Sequence, residues 1–128
     1  MTDLINAMPF ARGLGLTLLK AEPDAVEAEF EVVEALCTTG KILHGGAAMS
    51  VADTLGAIAA FANLPEGSRG TTTIESKTNF LRAAPLGTRV RATTTPVKVG
   101  RRLSVWQTTL RDANDKEIAR VTQSQLVL

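Results

Sequence analysis

The residues with the clearest chemical potential lie in one stretch, from Gly40 to Asp53. It holds the only histidine of the chain, His44, followed by Gly45 and Gly46, and it ends on an acidic residue. Glycines at the start of a helix leave backbone N–H groups unobstructed at the positive end of the helix dipole, where they can hold an oxyanion or a carbonyl oxygen. A carboxylate can act as a general base or as a nucleophile. The stretch therefore holds the groups that attack on a carbonyl carbon needs.

Each of these residues also has a purely structural interpretation. Asp53 is the only formally charged residue between Lys41 and Glu66, and a carboxylate on an apolar helix costs stability unless it is solvated, paired or used. It could belong to a solvent-facing stripe with Ser50, Thr54 and Ala57. His44 could cap or pack against the helix, and the glycine pair could simply let a loop turn into a helix.

His44 and Asp53 cannot act as a pair within one chain. Nine residues of helix turn through about 900° and rise roughly 13 Å, which places the two side chains on opposite faces. A two-fold dimer solves this problem, because the His-Gly-Gly turn of one subunit can face Asp53 of the other. If both residues serve one site, we therefore expect a two-fold homodimer, and a fully active monomer would contradict this expectation.

Other chemistries lack their residues. The chain has no Gly-x-Ser-x-Gly elbow, no phosphate-binding glycine loop and no dinucleotide fingerprint. Cys37 and Ser50 have no second histidine to act as their base, so neither is expected to be a nucleophile. One Cys and one His exclude an intramolecular disulfide and a zinc site built from several such ligands. We expect neither a metal nor a cofactor.

Composition restricts the partners and the compartment. The formal net charge is +1, from 14 basic and 13 acidic residues, and there is no Tyr, so nucleic acid is not an expected partner. The start, MTDLINAMPF, lacks the basic segment of a signal peptide, and the single Cys fits a reducing, cytoplasmic compartment. The weakly charged run from Ile42 to Pro65 could span a bilayer by length, but it carries Asp53 in its middle. We interpret it as a buried helix, and we expect no membrane contact.

The pattern of apolar residues predicts one α+β domain over residues 1–128. Residues 14–21 and 25–33 form a hairpin around Pro23-Asp24, since apolar and acidic residues alternate after that turn. A helix spans 45–63, apolar nearly all the way round, and Leu64 to Gly67 ends it. Four strands follow, at 71–82, 88–99, 101–111 and 117–128. Their short turns predict an antiparallel meander, in a curved sheet wrapped around the helix.

Several motifs together resemble the PaaI-type branch of the hotdog-fold acyl-CoA thioesterases. The resemblance covers nearly the whole chain, and its most specific part is His44-Gly45-Gly46 followed by Asp53-Thr54 on a buried helix. It is supported by Pro9-Phe10 to Leu14-Gly15, by Asn79 to Gly87, and by Val99-Gly100-Arg101. The resemblance implies a hotdog fold with about six antiparallel strands around one long helix. It also implies a homodimer or a homotetramer built as a dimer of dimers, with active sites at a dimer interface.

The resemblance also implies roles for individual residues. Asp53 would attack the thioester or activate water, the Gly45 N–H would polarise the thioester carbonyl, and His44 would orient the turn with Gly46 beside the substrate. Thr73 would place a hydroxyl near the reacting water or carboxylate. Relatives usually have Asn or Gln six residues before the histidine, where this chain has Thr38, so the positioning role of that loop departs from the family pattern.

Coenzyme A would bring phosphates to such a site. Arg82 and Arg101 are candidate partners, together with Lys98 and Arg102, because guanidinium groups bind phosphate bidentately. The alternative for each of them is ordinary surface charge at the end of a strand.

The prediction is therefore an enzyme that hydrolyses an acyl- or aryl-acyl-CoA thioester to the free acid and CoA. A non-catalytic acyl-CoA or fatty-acyl binding module of the same fold is the main alternative. A ligand-sensing transcription regulator is disfavoured, because no helix-turn-helix segment precedes the domain. A hydratase or dehydratase is disfavoured because the acid and the histidine do not pair within one chain.

Overall fold

A six-stranded antiparallel sheet packs around one long helix in the computed structural model, which describes residues 2–128. The sheet contains β1 (Thr17–Glu22), β2 (Ala25–Glu31), β5 (Thr71–Phe80), β6 (Arg89–Val99), β7 (Leu103–Arg111) and β8 (Glu117–Val127). The long helix is α3 (Gly45–Ala62). The shorter elements are α1 (Thr2–Asn6), α2 (Pro9–Arg12), a 3-10 turn (Glu34–Leu36), β3 (Cys37–Thr38) and β4 (Ile42–Leu43). The predicted α+β fold, with six strands and one helix, is confirmed.

The first hairpin follows the alternation in the sequence. Strands β1 and β2 pair in antiparallel fashion around Pro23-Asp24, as predicted. Val26, Ala28 and Phe30 are fully buried, whereas the intervening glutamates lie on the other face of the sheet. The predicted strand 14–21 starts too early, because β1 begins at Thr17, and the predicted strand 25–33 ends too late, because β2 ends at Glu31.

The predicted meander is correct only for β6, β7 and β8. The strand order is β1-β2-β6-β7-β8-β5, so β5 lies at the far edge and pairs with β8 instead of β6. The reason is the segment that follows β5, which does not turn back. Within it Pro85 bridges to Ile42, and the Gly87 N–H donates to the carbonyl of Val32. These contacts carry the chain across to the other side of the sheet before β6 begins.

Other boundaries also differ from the prediction. Strand β7 begins at Leu103, so Arg101 and Arg102 lie in the turn after β6 and not in a strand. Helices α1 and α2 were not predicted, and they bury Ile5 and Ala11 in the core. Helices of four or five residues are too short to show a 3.6-residue period, so the apolar pattern carries no signal for them.

Helix α3 is covered on one side only in a single chain. It contacts all six strands of the sheet, and eight of its residues are buried. By length and composition it could cross a membrane, but these contacts make it the core helix. Its other side exposes Met49, Asp53 and Phe61, which are not surrounded as the all-round apolar pattern predicted. This exposed side is available to a second subunit.

One glycine in α3 is required by packing. A Cβ at Gly56 would lie 1.9 Å from the side-chain nitrogen of Gln123, which is itself fully buried. We expect Gly56→Ala to lower the free energy of unfolding by about 3 kcal/mol, because the added methyl overpacks the core and displaces Gln123. Urea unfolding measures this. Gly13→Ala is the matched control, since its Cβ would make an ordinary contact, and an equal loss in both variants would contradict the packing argument.

Candidate active site

The first turn of α3 is organised by His44. Its backbone is extended, and its Nδ1 accepts the N–H of Gly46 at 2.8 Å, which makes His44 the N-cap of the helix. Because Nδ1 accepts, the neutral ring carries its proton on Nε2. A Cβ at Gly46 would lie 2.9 Å from Nδ1, so this cap needs a glycine there. His44 thus orients the glycine turn, and the Gly46 N–H is already used.

The Gly45 N–H is the free donor of this turn. The N–H groups of Ala47 and Ala48 both donate to the carbonyl of His44, and Gly46 donates to the histidine ring. The Gly45 N–H has no acceptor among residues 2–128. The first N–H groups of a helix have no partner inside the helix, and the dipole favours negative charge at this end. Gly45 can therefore donate to an oxygen that develops negative charge.

Two clefts meet the helix at this point. One, of about 470 Å³, is lined by Gly45, Thr38, Phe80 and Arg82. The phenyl ring of Phe80 covers Gly45 so closely that a Cβ there would lie 3.1 Å from it. The other cleft, of about 640 Å³, has a mainly apolar lining: Pro9, Phe10, Gly13, Leu14, Ala35, Leu36, Cys37, His44, Gly46, Ala47 and Ser50. The two clefts lie on either side of the glycine turn.

Asp53 lies two turns further along α3 and is exposed. Its Oδ1 accepts a hydrogen bond from the hydroxyl of Thr73 on β5, with an Oγ1–Oδ1 distance of 3.0 Å. A β-bulge between Thr73 and Glu75 brings both Thr73 and Ser76 opposite buried residues of β8. The structure thus brings Asp53 and Thr73 together, as the family resemblance implied.

Two glutamines that the apolar pattern did not single out lie behind this contact. Gln123 and Gln125 on β8 are each only 1% exposed. Gln125 donates to the Thr73 oxygen at 2.6 Å and to the Gln123 side-chain oxygen at 2.8 Å. Polar residues at inward positions of an apolar strand were the available signal, because such groups are normally buried only when hydrogen-bonded.

The remaining predicted residues are dispersed. Arg101 lines a separate cleft with Gly67 and Leu128, away from the residues around Gly45. A third cleft is lined by Asp53, Ser76 and Gly46, and Gly45 does not line it. The Cys37 thiol donates to the carbonyl of Val33. No group of three potential metal ligands occurs within the part of the chain that the structure describes.

The two carboxyl groups whose pKa departs from its usual value belong to ion pairs elsewhere in the sheet. A hydrogen bond from Arg89 holds the pKa of Glu29 below its usual value, and Arg120 does the same for Glu117. Neither glutamate lines the clefts around the glycine turn or Asp53. Both ion pairs therefore lie apart from the candidate site.

Comparison with known proteins identifies a family and several relatives that this chain resembles in sequence. Residues 40–119 match the sequence profile of the thioesterase superfamily. The chain is 35% identical to a Deinococcus radiodurans protein provisionally named an esterase, over 91% of this chain and 77% of that protein. It is 31% identical to the 1,4-dihydroxy-2-naphthoyl-CoA hydrolase of Escherichia coli, over 82% of this chain and 78% of that enzyme.

Solved structures show the same fold. The Escherichia coli PaaI protein from the phenylacetic acid degradation operon superposes with a TM-score of 0.87 at 19% sequence identity. The alignment covers 99% of this chain and 89% of that protein. The predicted hotdog fold and the resemblance to PaaI-type proteins are both confirmed.

Proposed function

The chain belongs to the thioesterase superfamily and is a thioester hydrolase, and we propose that it cleaves an acyl-CoA to a free acid and CoA. The observation that carries the proposal is the free Gly45 N–H at the start of α3. When a thioester carbonyl is attacked, its oxygen becomes negatively charged, and a preorganised N–H donor stabilises that charge. Without such a donor, an exposed aspartate alone would give no reason to infer hydrolysis.

Asp53 supplies the attacking group in this mechanism. Its carboxylate either adds to the thioester carbon directly or takes a proton from a water that adds. The carbon–sulfur bond then breaks, the thiolate of CoA leaves and is protonated, and the acid is released. In the direct route, water hydrolyses the resulting anhydride. The Thr73 hydroxyl holds one carboxylate oxygen, which leaves Oδ2 for the reaction.

The complete site is proposed to need two subunits. Gly45 and Asp53 lie on one helix about 12 Å apart by its rise, and they line different clefts. Strand β5, which carries Thr73, is an edge strand of ten residues with Ile74 56% exposed. An open edge of this length is a template for pairing with another chain. A two-fold pairing of β5 edges would bring Asp53 of one subunit toward the glycine turn of the other.

The clefts support an assignment of the two halves of the substrate. Arg82 lines the cleft at Gly45, where a guanidinium can bind the phosphates of CoA. The larger cleft beside His44 has no Lys, Arg, Asp or Glu in its lining. An uncharged acyl or aryl-acyl group fits such a lining, because a buried carboxylate would be left without a partner.

The proposed function is tested by thiol release. We expect the protein to release CoA from uncharged aliphatic and aromatic acyl-CoAs, and to act at least about tenfold less well on a dicarboxylic acyl-CoA of equal length. Free thiol is measured for each substrate, and calorimetry measures binding. Binding of several acyl-CoAs with no release of thiol would favour the non-catalytic module, which the Thr38 departure keeps as the second candidate.

A further inference from the structure

We infer that Gln125 is a positioning residue that orients Asp53 through the hydroxyl of Thr73. The inference rests on the proposed function, since it deepens the role of Asp53 in the reaction. It is carried by a hydrogen-bonded chain that begins at the backbone of α3, passes through two buried glutamines of β8 and ends on the carboxylate. Gln125 itself does not touch the substrate.

This series of side-chain hydrogen bonds is continuous over four bonds. Gln123 donates to the carbonyl of Ala52 at 2.8 Å, and its own oxygen accepts from Gln125 at 2.8 Å. Gln125 donates its second N–H to Thr73 at 2.6 Å, and Thr73 donates to Asp53 at 3.0 Å. Every polar side-chain atom of Gln123 and the side-chain nitrogen of Gln125 are thereby used.

The direction of every bond follows from the first acceptor. A backbone carbonyl can only accept, so the nitrogen of Gln123 must face Ala52 and its oxygen must face Gln125. That oxygen requires the nitrogen of Gln125, whose second N–H then points at the Thr73 oxygen. Thr73 has one hydroxyl hydrogen, and with its oxygen occupied as an acceptor the hydrogen is directed to Asp53. Neither amide can be reversed without placing two acceptors or two donors against each other.

The side-chain oxygen of Gln125 also accepts a hydrogen bond, from Thr71. The hydroxyl of Thr71 lies 3.1 Å from it and 3.0 Å from the carbonyl of Leu126, and these two acceptors share the single hydroxyl hydrogen. The Gln125 side chain is therefore held at both ends, while it is 1% exposed. Buried amides are costly unless fully bonded, and fully bonded networks of this kind are rigid. The rigid amide transfers its position to Thr73, which lies directly opposite Gln125 in the β5–β8 pairing.

The consequence lies at the carboxylate. Asp53 is exposed, and an exposed aspartate would otherwise sample several rotamers. The donated hydroxyl selects the rotamer that faces β5 and leaves Oδ2 for the attack. Gly56 belongs to the same arrangement, because a side chain there would occupy the space of the Gln123 amide.

The test compares kcat and KM in Gln125→Met, which keeps the length of the side chain and removes its donors. We expect kcat to fall roughly tenfold with KM within about twofold, because the carboxylate is misplaced while the substrate clefts are intact. In a Thr73→Val background the same substitution should cause no further loss of kcat, since the route to Asp53 is already broken. Losses that multiply in the double variant would overturn the inference.

A matched control separates positioning from stability. Thr94 and Thr108 form another fully buried hydrogen bond in the sheet, at 2.6 Å, with no link to Asp53. Thr108→Val should lower the midpoint of urea unfolding as Gln125→Met does, yet leave kcat unchanged. Equal losses of kcat in both variants would mean that Gln125 acts only through stability, and would contradict the inference.

A second measurement does not depend on turnover. The unfolding free energies of Gln125→Met, Asp53→Ala and their double variant should be non-additive, because the two side chains are coupled through Thr73. If the wild type hydrolyses no thioester, the proposed function fails, and this cycle still decides whether Gln125 orients Asp53. Additive unfolding free energies would overturn the inference, whatever the activity.

Discussion

Replacing Asp53 with asparagine is expected to lower kcat for thioester hydrolysis by about a thousandfold, while acyl-CoA binding persists. The amide keeps the shape of the side chain and can still accept from Thr73, but it is neither a base nor an effective nucleophile. Thiol release measures kcat, and calorimetry on the same variant measures binding. The loss should therefore appear in turnover and not in affinity.

Asp24→Asn is the matched control for this substitution. Asp24 is also exposed, and it lies in the turn between β1 and β2, outside both clefts. It should retain full activity. Hydrolysis by Asp53→Asn at the wild-type rate would remove Asp53 from the mechanism and would leave its contact with Thr73 as a structural feature.

The second large effect concerns Gly45. Gly45→Val should lower kcat by at least about a hundredfold, because its side chain would displace the Phe80 ring and obstruct the free N–H. Ala62→Val makes the same kind of substitution at the exposed end of α3, away from the donor. It should be active, so a loss in Gly45→Val cannot be assigned to the helix propensity of valine.

Mixing the two inactive variants tests the composite site. If Gly45 of one subunit works with Asp53 of the other, a mixed dimer of Gly45→Val and Asp53→Asn contains one intact site and one doubly defective site. Random exchange of subunits should then restore about a quarter of the wild-type activity. A site inside one chain would give no recovery, because every chain carries a defect. Sedimentation of the wild type separately measures whether the assembly is a dimer or a tetramer.

Part of this site was predictable because its signal is local. His44, Gly45 and Gly46 are adjacent in the sequence, and a capped helix start needs only neighbouring residues. Asp53 was identified as the one charge on an apolar helix. Helical geometry excludes a direct contact between it and His44, so a site that uses both residues is predicted to need a second subunit.

Other parts were not predictable from spacing. The contact between Asp53 and Thr73 joins residues 20 apart, and only the family resemblance pointed to it. Gln125 is a further 52 residues from Thr73, and nothing in the apolar pattern pairs them. The place of β5 beside β8 also differs from the expected meander, because the segment after β5 bonds to Ile42 and Val32 instead of turning back.

By itself the sequence determined the elements and the chemistry they carry: an alternating hairpin, a buried helix, a glycine turn capped by His44, and one carboxylate. Local periodicity and capping decide these, because they depend on residues within a few turns of each other. The tertiary structure alone decided that β5 lies at the edge of the sheet and that Gln125 reaches Asp53 through Thr73. Strand order and cross-strand contacts depend on which distant segments pack together, and a run of neighbouring residues does not encode that choice locally.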